Sequence, residues 1–315
     1  MPTALSADEA RAFLRARGRD ASDLTPLTGG LWSTTFAFRE RERDYVVRFH
    51  ERRDDLEKDR LAERWRSPAL RIPHMVEIGD HRTGGYGIAE RVTGGPIDDL
   101  DEVGIRRILP SLFTAMDAMR EADLAGTHGY GLWHGDGSAP HASWADNLVR
   151  EDPPGERAKQ RELLARTRIG HAEFDAGLAR IRELLPFCPP VGQDRYLVHN
   201  DLLNFNVLVD SAGVIVLDWG ASIFGDFLYD VALLTFWWPW YRARWGGIDI
   251  RREIERHYSR SGLAVPSFAE RLRVCELDIG VSHIPWQAGR GELDRAAWTA
   301  RRTADLASRG LSFSG

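Results

Sequence analysis

The alternation of apolar and polar positions is clearest between Tyr196 and Asp230, where it predicts two short antiparallel strands. The apolar run Val207–Val209 passes through a turn at residues 211–213 into a second run, Val214–Leu217. A glycine-containing turn between two such runs is typical of a β-hairpin. The residues just before the hairpin are polar, which predicts a loop that leads into it.

The same alternation predicts strands in the first part of the chain, at residues 27–38 around a glycine turn and at 45–49, 75–78 and 86–91. Helical spacing predicts a capped first helix beginning at Ser6 and a charged helix at residues 54–66. Later helices are predicted at 105–124, up to residue 185, from residue 231, and around residues 276–278. The glycines and the proline of residues 92–96 mark the predicted boundary between one domain, 1–93, and a second, 94–315.

Three polar side chains flank the predicted hairpin, with Asp201 and Asn206 before it and Asp218 directly after it. A nucleoside triphosphate needs Mg²⁺ held by hard oxygen ligands, which Asn206 and Asp218 supply. The acceptor hydroxyl needs a carboxylate that positions it and takes its proton, and Asp201 suits that role. With His199 and the Asp-Trp-Gly at 218–220, the spacing is that of protein-kinase-like enzymes. Each residue alone could cap a turn, but the full spacing between predicted strands favours phosphoryl transfer.

The N-terminal strands offer candidates for phosphate binding. Gly29 and Gly30 lie in a predicted hairpin turn, where glycine lets backbone N–H groups approach phosphates. Arg48 follows one strand later, where a kinase-like fold has a cation for the α- and β-phosphates; the alternative is a solvent-facing strand arginine. Alternation puts His50 on the same face as Arg48. Lys58 is a second candidate cation, as one of only two lysines in the chain.

Further candidates for nucleotide binding come from the charged helix and from the domain boundary. Glu57, Asp59 and Glu63 are candidates for the acidic partner of Arg48, and periodicity alone does not choose among them. In a two-lobed kinase-like enzyme, the segment from Glu90 to Val92 would contact adenine through its backbone groups.

The C-terminal part holds five candidate substrate-binding residues. Asp226 and Asp230 open a predicted helix, and Asp226 is expected to accept backbone N–H bonds that hold the catalytic loop. Trp238 belongs to a tryptophan-rich stretch that either packs in the core or forms a wall against a sugar ring or a cation. Glu276 and Asp278 are candidates for binding an amine-bearing substrate, the alternative being an exposed helix face.

Composition narrows the functional class. The 315 residues carry a formal net charge of −5 and have a pI near 6.1, which argues against non-specific nucleic-acid binding. The sequence shows no apolar run of membrane-spanning length and no signal segment, and its two cysteines favour a reducing compartment. We therefore expect a cytoplasmic protein that acts on a small molecule, without nucleic acid or a membrane as partner.

The chain resembles the aminoglycoside phosphotransferases over most of its length, and among them the hygromycin B phosphotransferase branch. The resemblance rests on YVVRF at 45–49, EKDR at 57–60, IP at 72–73, ERVTG at 90–94, MDAM at 116–119, LVHNDLLNFNVL at 197–208, VLDWG at 216–220, FGDFLYDVA at 224–232 and FWWPW at 236–240. It implies a two-lobed, protein-kinase-like α+β fold, with an antiparallel sheet plus a helix at the N-terminus and a mainly helical C-terminal lobe. It also implies Asp201 as base, Asn206 and Asp218 as magnesium ligands, and Asp59 as the partner of Arg48.

We therefore predict an ATP- and Mg²⁺-dependent enzyme that moves the γ-phosphate to a hydroxyl of an aminoglycoside antibiotic of the hygromycin B type, conferring resistance. One alternative is a kinase of an endogenous small alcohol or sugar, of the choline, homoserine or hexose type. A non-catalytic nucleotide-binding protein is another, but it requires a missing metal ligand, and the sequence retains both.

Overall fold

The computed structural model describes residues 5–27, 32–82, 84–150, 153–193 and 195–310. Within these residues the chain forms eleven strands and ten α-helices. The strands are β1 (Ser22–Leu27), β2 (Ser33–Glu40), β3 (Arg43–His50), β4 (Met75–His81), β5 (Gly84–Glu90), β6 (Gly95–Pro96), β7 (Gly131–Leu132), β8 (Tyr196–Val198), β9 (Val207–Asp210), β10 (Gly213–Val216) and β11 (Ile223–Gly225). The helices are α1 (Ala7–Ala16), α2 (Arg53–Ala62), α3 (Glu102–Arg120), α4 (Trp144–Leu148), α5 (Glu156–Ala165), α6 (Ala172–Leu184), α7 (Leu228–Trp245), α8 (Ile250–Ser261), α9 (Phe268–Gly289) and α10 (Leu293–Ser308).

The chain divides into two compact units. The first unit comprises Met1–His128, Leu132–Ala139 and Asp201–Ser222, and the second comprises Gly129–Gly131, Pro140–Asn200 and Ile223–Gly315. The residues of the predicted hairpin and its loop thus group with the N-terminal strands. The predicted division into 1–93 and 94–315 stays a prediction.

The first unit is built on a five-stranded antiparallel sheet in the order β1-β2-β3-β5-β4. Helix α1 begins with the predicted capping box, in which Ser6 and Glu9 each bond the backbone of the other. Its apolar side chains pack with Val47 and Phe49 of β3 and with residues of β2 and β5 in one buried cluster. Because side chains alternate along a strand, this packing leaves Arg48 and His50 on the opposite face of the sheet.

Helix α2 covers that opposite face. Its Asp59 pairs with Arg48, and Nε2 of His50 lies 3.4 Å from Oδ2 of Asp55. Gly87 of β5, which is paired with Arg48, lets the helix approach, since a Cβ at Gly87 would lie 3.1 Å from Cδ2 of Leu56. The close packing of α2 therefore brings its acidic side chains to the strand that carries Arg48.

The predicted hairpin is present as β9 and β10, which pair antiparallel and extend to β6 in a three-stranded sheet. Gly213 begins β10 with a φ of 124°, a value that side-chain-bearing residues rarely adopt. The N–H of Val214 donates to Oγ of Ser111 on α3 at 3.0 Å. Together these interactions fix the hairpin on which the predicted catalytic loop depends.

The second unit is mainly helical and is arranged around α9, which packs against α5, α6, α7 and α10. A helix surrounded in this way is buried on most sides, which agrees with the many buried residues of α9. Helix α7 continues to Trp245 despite Pro239, whose missing N–H leaves the carbonyl of Thr235 without its helical donor. Nη2 of Arg302 on α10 lies 3.4 Å from that carbonyl and supplies a donor.

Candidate active site

Asp201 and Asn206 are held together by hydrogen bonds in the loop before β9. Nδ2 of Asn206 donates to Oδ2 of Asp201 at 2.7 Å and to the carbonyl oxygen of Asp201 at 3.2 Å. Both bonds use the amide nitrogen, so Oδ1 of Asn206 takes part in neither. The N–H of Leu217 donates to the carbonyl of Asn206 at 2.8 Å, which brings the residue before Asp218 alongside Asn206. The three residues predicted from their spacing therefore lie close together.

Asp218 adopts a left-handed backbone conformation, with φ 58° and ψ 79°. A residue with a Cβ pays about 1–2 kcal/mol for that conformation, and such strain clusters at functional sites. Oδ1 of Asp218 accepts the N–H of Gly220 at 3.4 Å, and the side chain is 42% exposed. The strained backbone thus presents a carboxylate that solvent and ligands can reach.

Arg48 lies between two carboxylates of the first unit. Its Nη2 pairs with Asp59 of α2, and its Nη1 lies 3.3 Å from Oδ1 of Asp218. Asp59 in turn accepts the N–H of Trp219 at 2.9 Å. This chain of contacts connects the strand, the helix and the Asp-Trp-Gly segment.

Of the three acids considered as partners of Arg48, only Asp59 makes the contact among the described residues. Glu57 instead pairs with Arg53 at 3.0 Å, and Glu63 contacts His74 at 2.5 Å. The choice follows from how α2 packs and where it ends, because Glu57, two residues before Asp59, projects from another side of the helix and Glu63 lies just beyond its last residue, Ala62. Asp59 and Arg48 are both largely buried, with side-chain exposures of 13% and 15%.

Burial raises the pKa of the Asp59 carboxyl to about 6, against the lowering effect of the nearby Arg48 cation. Burial also disfavours the charge on Arg48, but the carboxylates of Asp59 and Asp218 outweigh it and raise the pKa of the guanidinium above its ordinary value. The arginine therefore stays charged.

Lys58, the second candidate cation for phosphate binding, does not extend toward solvent. It is 1% exposed, and its Nζ donates to the carbonyl oxygens of Gly220 at 2.6 Å and Ser222 at 3.3 Å. Burial lowers the pKa of Lys58 to about 8, against the raising effect of Asp55 and Asp54. Sequence reasoning missed these contacts, although a charged residue on the buried side of α2 was a possible signal.

Parts of the predicted nucleotide-binding surface are described and parts are not. Gly29 and Gly30 lie outside the described residues. The N–H of Glu90 donates to the carbonyl of His74, and the N–H of Arg91 donates to the carbonyl of Asp44, each at 2.9 Å. These two donors are engaged within the sheet region, so an adenine contact in this segment would use a different group, such as the backbone of Val92.

Asp230, and not Asp226, holds the backbone before the catalytic loop. Oδ2 of Asp230 accepts the N–H of His199 at 2.9 Å, and Oδ1 accepts the N–H of Asn200 at 2.8 Å. Asn200 has a φ of 63°, which asparagine tolerates better than most residues. The prediction that Asp226 accepts these bonds is wrong.

Asp226 is instead part of a buried ion pair in the second unit. Nε and Nη2 of Arg271 on α9 donate to its two carboxylate oxygens, both at 2.8 Å. Oδ1 also accepts the N–H of Leu228, the first residue of α7, at 3.0 Å. The acid therefore joins the beginning of α7 to α9. Helix α7 begins at Leu228, so Asp226 precedes it and Asp230 lies in its first turn.

The other candidate substrate-binding residues are buried in the second unit. Glu276 is 5% exposed and accepts a bond from Oγ1 of Thr235 at 2.8 Å, and burial raises its pKa. Asp278 is 1% exposed and accepts a bond from the hydroxyl of Tyr229 at 2.8 Å. Trp238 is 6% exposed, and its ring lies 4.7 Å from that of Trp245. These contacts give each residue a place in the packing, while substrate binding by any of them stays a prediction.

The donor set of Asn206 and Asp218 fits Mg²⁺. Hard oxygens are the ligands that this ion prefers, and it usually takes only one or two carboxylates from the protein, with water and phosphate oxygens as the rest. Asn206 offers the amide oxygen left over from its bonds to Asp201, and Asp218 offers an accessible carboxylate. Among the described residues, no group of three or more His, Cys, Asp and Glu side chains has a metal-binding arrangement.

Comparison with known proteins agrees with this geometry. The sequence model of the phosphotransferase enzyme family matches residues 23–268. The chain belongs to this family. The curated hygromycin-B 4-O-kinase of Escherichia coli is 30% identical over 302 residues, which cover 95% of this chain and 84% of that protein. The enzymatic class predicted from the catalytic-loop spacing, a phosphotransferase, is confirmed.

Solved structures of family members confirm the predicted fold class. A crystal structure of aminoglycoside phosphotransferase APH(4)-Ia is similar with a TM-score of 0.83 at 29% identity, covering 97% of this chain and all of that one. A thermostable mutant of the same enzyme, in ternary complex with AMP-PNP and hygromycin B, gives a TM-score of 0.81 at 30% identity, with 96% and 98% covered. The protein-kinase-like α+β fold and the resemblance to aminoglycoside phosphotransferases are thus both confirmed.

Across the described parts of the chain, none of the helices combines the length and the apolar character of a membrane span.

Proposed function

We propose that this chain is an ATP- and Mg²⁺-dependent aminoglycoside phosphotransferase that transfers the γ-phosphate to a hydroxyl group of a hygromycin B-like antibiotic. The observation that carries the proposal is the joined set of Asp201, Asn206, Asp218 and Arg48. Two comparisons support the choice of acceptor. A relative that matches nearly the whole chain is a hygromycin-B 4-O-kinase, and a similar structure holds hygromycin B together with an ATP analogue.

In the proposed mechanism, Asn206 and Asp218 would hold Mg²⁺ through an amide oxygen and a carboxylate. When bound, the ion neutralises phosphate charge and orients the nucleotide. Arg48 binds the phosphates as a fixed cation, and Asp59 keeps its guanidinium in position and charged. Phosphoryl transfer needs little covalent work from the protein, so this positioning and charge neutralisation account for most of the catalysis.

Asp201 is the proposed catalytic base. The bond from Nδ2 of Asn206 fixes one of its carboxylate oxygens, which orients the carboxylate toward a single acceptor hydroxyl. In a loose transition state the proton leaves the hydroxyl late, so Asp201 does not need a raised pKa to act. Its main contribution is to align the acceptor oxygen with the γ-phosphorus.

The remaining nucleotide contacts are also part of the proposal. Gly29 and Gly30 cover the phosphates through their backbone N–H groups, and the segment from Glu90 to Val92 borders the adenine. The predicted lobes, 1–93 and 94–315, correspond in this proposal to nucleotide binding and to catalysis with acceptor binding. A cytoplasmic location is proposed as well, which the low number of cysteines, two in the chain, supports.

The experiment that tests the proposed function measures ATP consumption by the purified protein with Mg²⁺ across a panel of acceptors. Hygromycin B, several other aminoglycosides, and the endogenous alcohols choline, homoserine and a hexose are supplied in parallel. We expect acceptor-dependent turnover with hygromycin B and none with the endogenous alcohols. Turnover with an endogenous alcohol alone would show that this alcohol, and not an aminoglycoside, is the acceptor. Nucleotide binding without turnover on any acceptor would contradict the proposed function.

A further inference from the structure

Lys58 is a buried cation whose hydrogen bonds go to backbone carbonyls. It lies on α2 and is 1% exposed. Its ammonium donates to the carbonyl of Gly220 at 2.6 Å and to that of Ser222 at 3.3 Å. The ammonium also lies 4.8 Å from the ring centre of Trp133, within range of a cation–π interaction. The side chain is thus enclosed by the segment that follows Asp218 and by an aromatic ring.

Burying a lysine is costly, so a purely structural position would be filled more easily by an apolar side chain. An ammonium offers something that an apolar side chain does not, namely three donors on a compact charge. Two of these donors meet carbonyls that stand two residues apart, at Gly220 and Ser222. The cation therefore fixes the path of the backbone between Gly220 and Ser222. An apolar side chain in the same place would pack against these residues but would not bond their carbonyl groups.

Helix α2 touches the same segment at two further points. Asp59 accepts the N–H of Trp219 at 2.9 Å, and a Cβ at Gly220 would lie 3.4 Å from Cγ of Asp55. Residues 58 and 59 follow residue 55 by three and four positions, so the three residues share a helix face. Asp59 holds an N–H group immediately after Asp218, while Lys58 holds the carbonyl groups that follow. Helix α2 thus forms hydrogen bonds with both N–H and carbonyl groups of residues 219–222.

The carbonyl of Ser222 has a second donor, since the N–H of Trp133 lies 3.4 Å from it. The segment around Trp133 is also tied to α2, because the N–H of Gly135 donates to Oδ1 of Asp54 at 2.8 Å. Trp133, Lys58 and Ser222 therefore meet at one point. Helix α2 is attached on one side to residues 219–222 and on another to residues 133–135.

We propose that Lys58 is a positioning residue for phosphoryl transfer, which acts by holding the backbone of residues 219–222 so that the strained Asp218 keeps its carboxylate directed at the metal–nucleotide complex. This inference rests on the proposed function, in which Asp218 is a magnesium ligand. Lys58 does not touch nucleotide or acceptor. Removal of the Lys58 ammonium therefore lowers the affinity for Mg²⁺ and leaves the affinity for the acceptor unchanged.

The chain offers a matched control, because its only other lysine is Lys159, an exposed residue on α5. The test compares the wild type with Lys58→Met, which keeps a long apolar stem without donors, with Lys58→Arg, and with Lys159→Met. The first readout is the rise in Tm that AMP-PNP produces with Mg²⁺ and without it. The second is the Mg²⁺ concentration for half-maximal turnover, measured beside the KM for the acceptor.

We expect Lys58→Met, which loses the hydrogen bonds to both carbonyls, to lose most of the Mg²⁺-dependent part of the Tm rise and to need about tenfold more Mg²⁺, a factor that corresponds to about 1.4 kcal/mol of metal-binding free energy. The acceptor KM stays within about twofold of the wild type, as expected for a residue that does not bind acceptor. Lys58→Arg retains the charge but fits the two carbonyls less well, so its Mg²⁺ requirement rises by about threefold. Lys159→Met behaves as the wild type.

A Lys58→Met protein with the wild-type Mg²⁺ requirement and the wild-type metal-dependent Tm rise would overturn the inference. So would an equal loss of acceptor affinity, which indicates a general structural defect. If Lys58→Met does not fold, Lys58→Arg decides, and an unchanged Mg²⁺ requirement there overturns the inference. Absence of any metal-dependent Tm rise in the wild type contradicts the proposed function itself, so the two failures are distinguishable.

Discussion

Nη1 of Arg48 lies 3.3 Å from Oδ1 of Asp218, so the cation of β3 and the carboxylate that follows β10 are in direct contact. The same guanidinium pairs with Asp59 of α2. One arginine therefore connects a strand, a helix and the Asp-Trp-Gly segment. The contact places the proposed phosphate-binding cation next to the proposed metal ligand, as transfer from a metal-bound nucleotide requires.

Breaking the Arg48–Asp59 pair from either side is expected to destabilise the fold and to weaken nucleotide binding. Arg48→Met leaves a buried carboxylate without its cation, and Asp59→Asn leaves the cation without its main partner, each at a cost of about 3–5 kcal/mol. The double variant is expected to lose less than the sum, because neither charge is then left alone. Urea unfolding of the four proteins measures this coupling. Strictly additive losses would contradict the assignment of the two residues as a pair.

The stability of the protein is expected to depend on the protonation of Asp230. Burial raises its pKa from the ordinary value of 3.8 to about 7, although the N–H groups of His199 and Asn200 oppose the shift. The folded state therefore holds a proton that the unfolded state has released. The resulting stabilisation is complete below pH 4 and is lost as the pH rises through 7, by up to about 1.4 kcal/mol per pH unit.

The measurement is the free energy of unfolding between pH 5 and pH 8 for the wild type and for Asp230→Asn, which has no proton to release. The wild type is expected to lose stability relative to the variant as the pH increases toward 7, and the difference becomes constant above it. If the free energy of unfolding changed with pH in the same way for both proteins between pH 5 and pH 8, Asp230 would not titrate in that range.

The buried pair of Arg271 and Asp226 is expected to matter far more for stability than an exposed pair of the same kind. The side chains are 6% and 1% exposed, and both carboxylate oxygens are bonded. Arg271→Met is expected to lower the free energy of unfolding by about 3–5 kcal/mol, since it leaves a buried carboxylate alone.

Arg166 provides the control for this pair, because it contacts Glu162 on the surface with 73% and 65% of the side chains exposed. Arg166→Met is expected to change the free energy of unfolding by less than about 1 kcal/mol. Chemical denaturation of both variants measures the contrast. Equal losses at the two sites would contradict the importance of the buried pair.

The residues around the catalytic loop were predictable because they are close in sequence. Asp201, Asn206 and Asp218 lie on one hairpin and its loop, so the alternation of apolar residues and the spacing of polar ones were enough to bring them together. The strand alternation of residues 45–49 likewise gave the correct face for Arg48, since that depends only on which neighbours are buried.

Contacts that depend on the rotation of a helix were not predictable in this way. Three acids in the predicted charged helix were equal candidates to meet Arg48, and the packing of Leu56 beside Gly87, together with the end of α2 at Ala62, selects Asp59. The roles of Asp226 and Asp230 were confused for the same reason, because the start of α7 decides which acid faces His199. Lys58 was misread because its partners, Gly220 and Ser222, are about 160 residues away in sequence.

In the proposed function, Asp201 directs an acceptor hydroxyl to the γ-phosphate of a nucleotide held by this site. The most direct test is mass spectrometry of hygromycin B after incubation with ATP, Mg²⁺ and either the wild type or Asp201→Asn, both first shown to gain thermal stability from AMP-PNP. We predict that the wild type adds one phosphoryl group to the antibiotic and that the variant slows this by about a thousandfold or more. Phosphorylation of hygromycin B at a wild-type rate by the variant would contradict the role of Asp201 as the catalytic base.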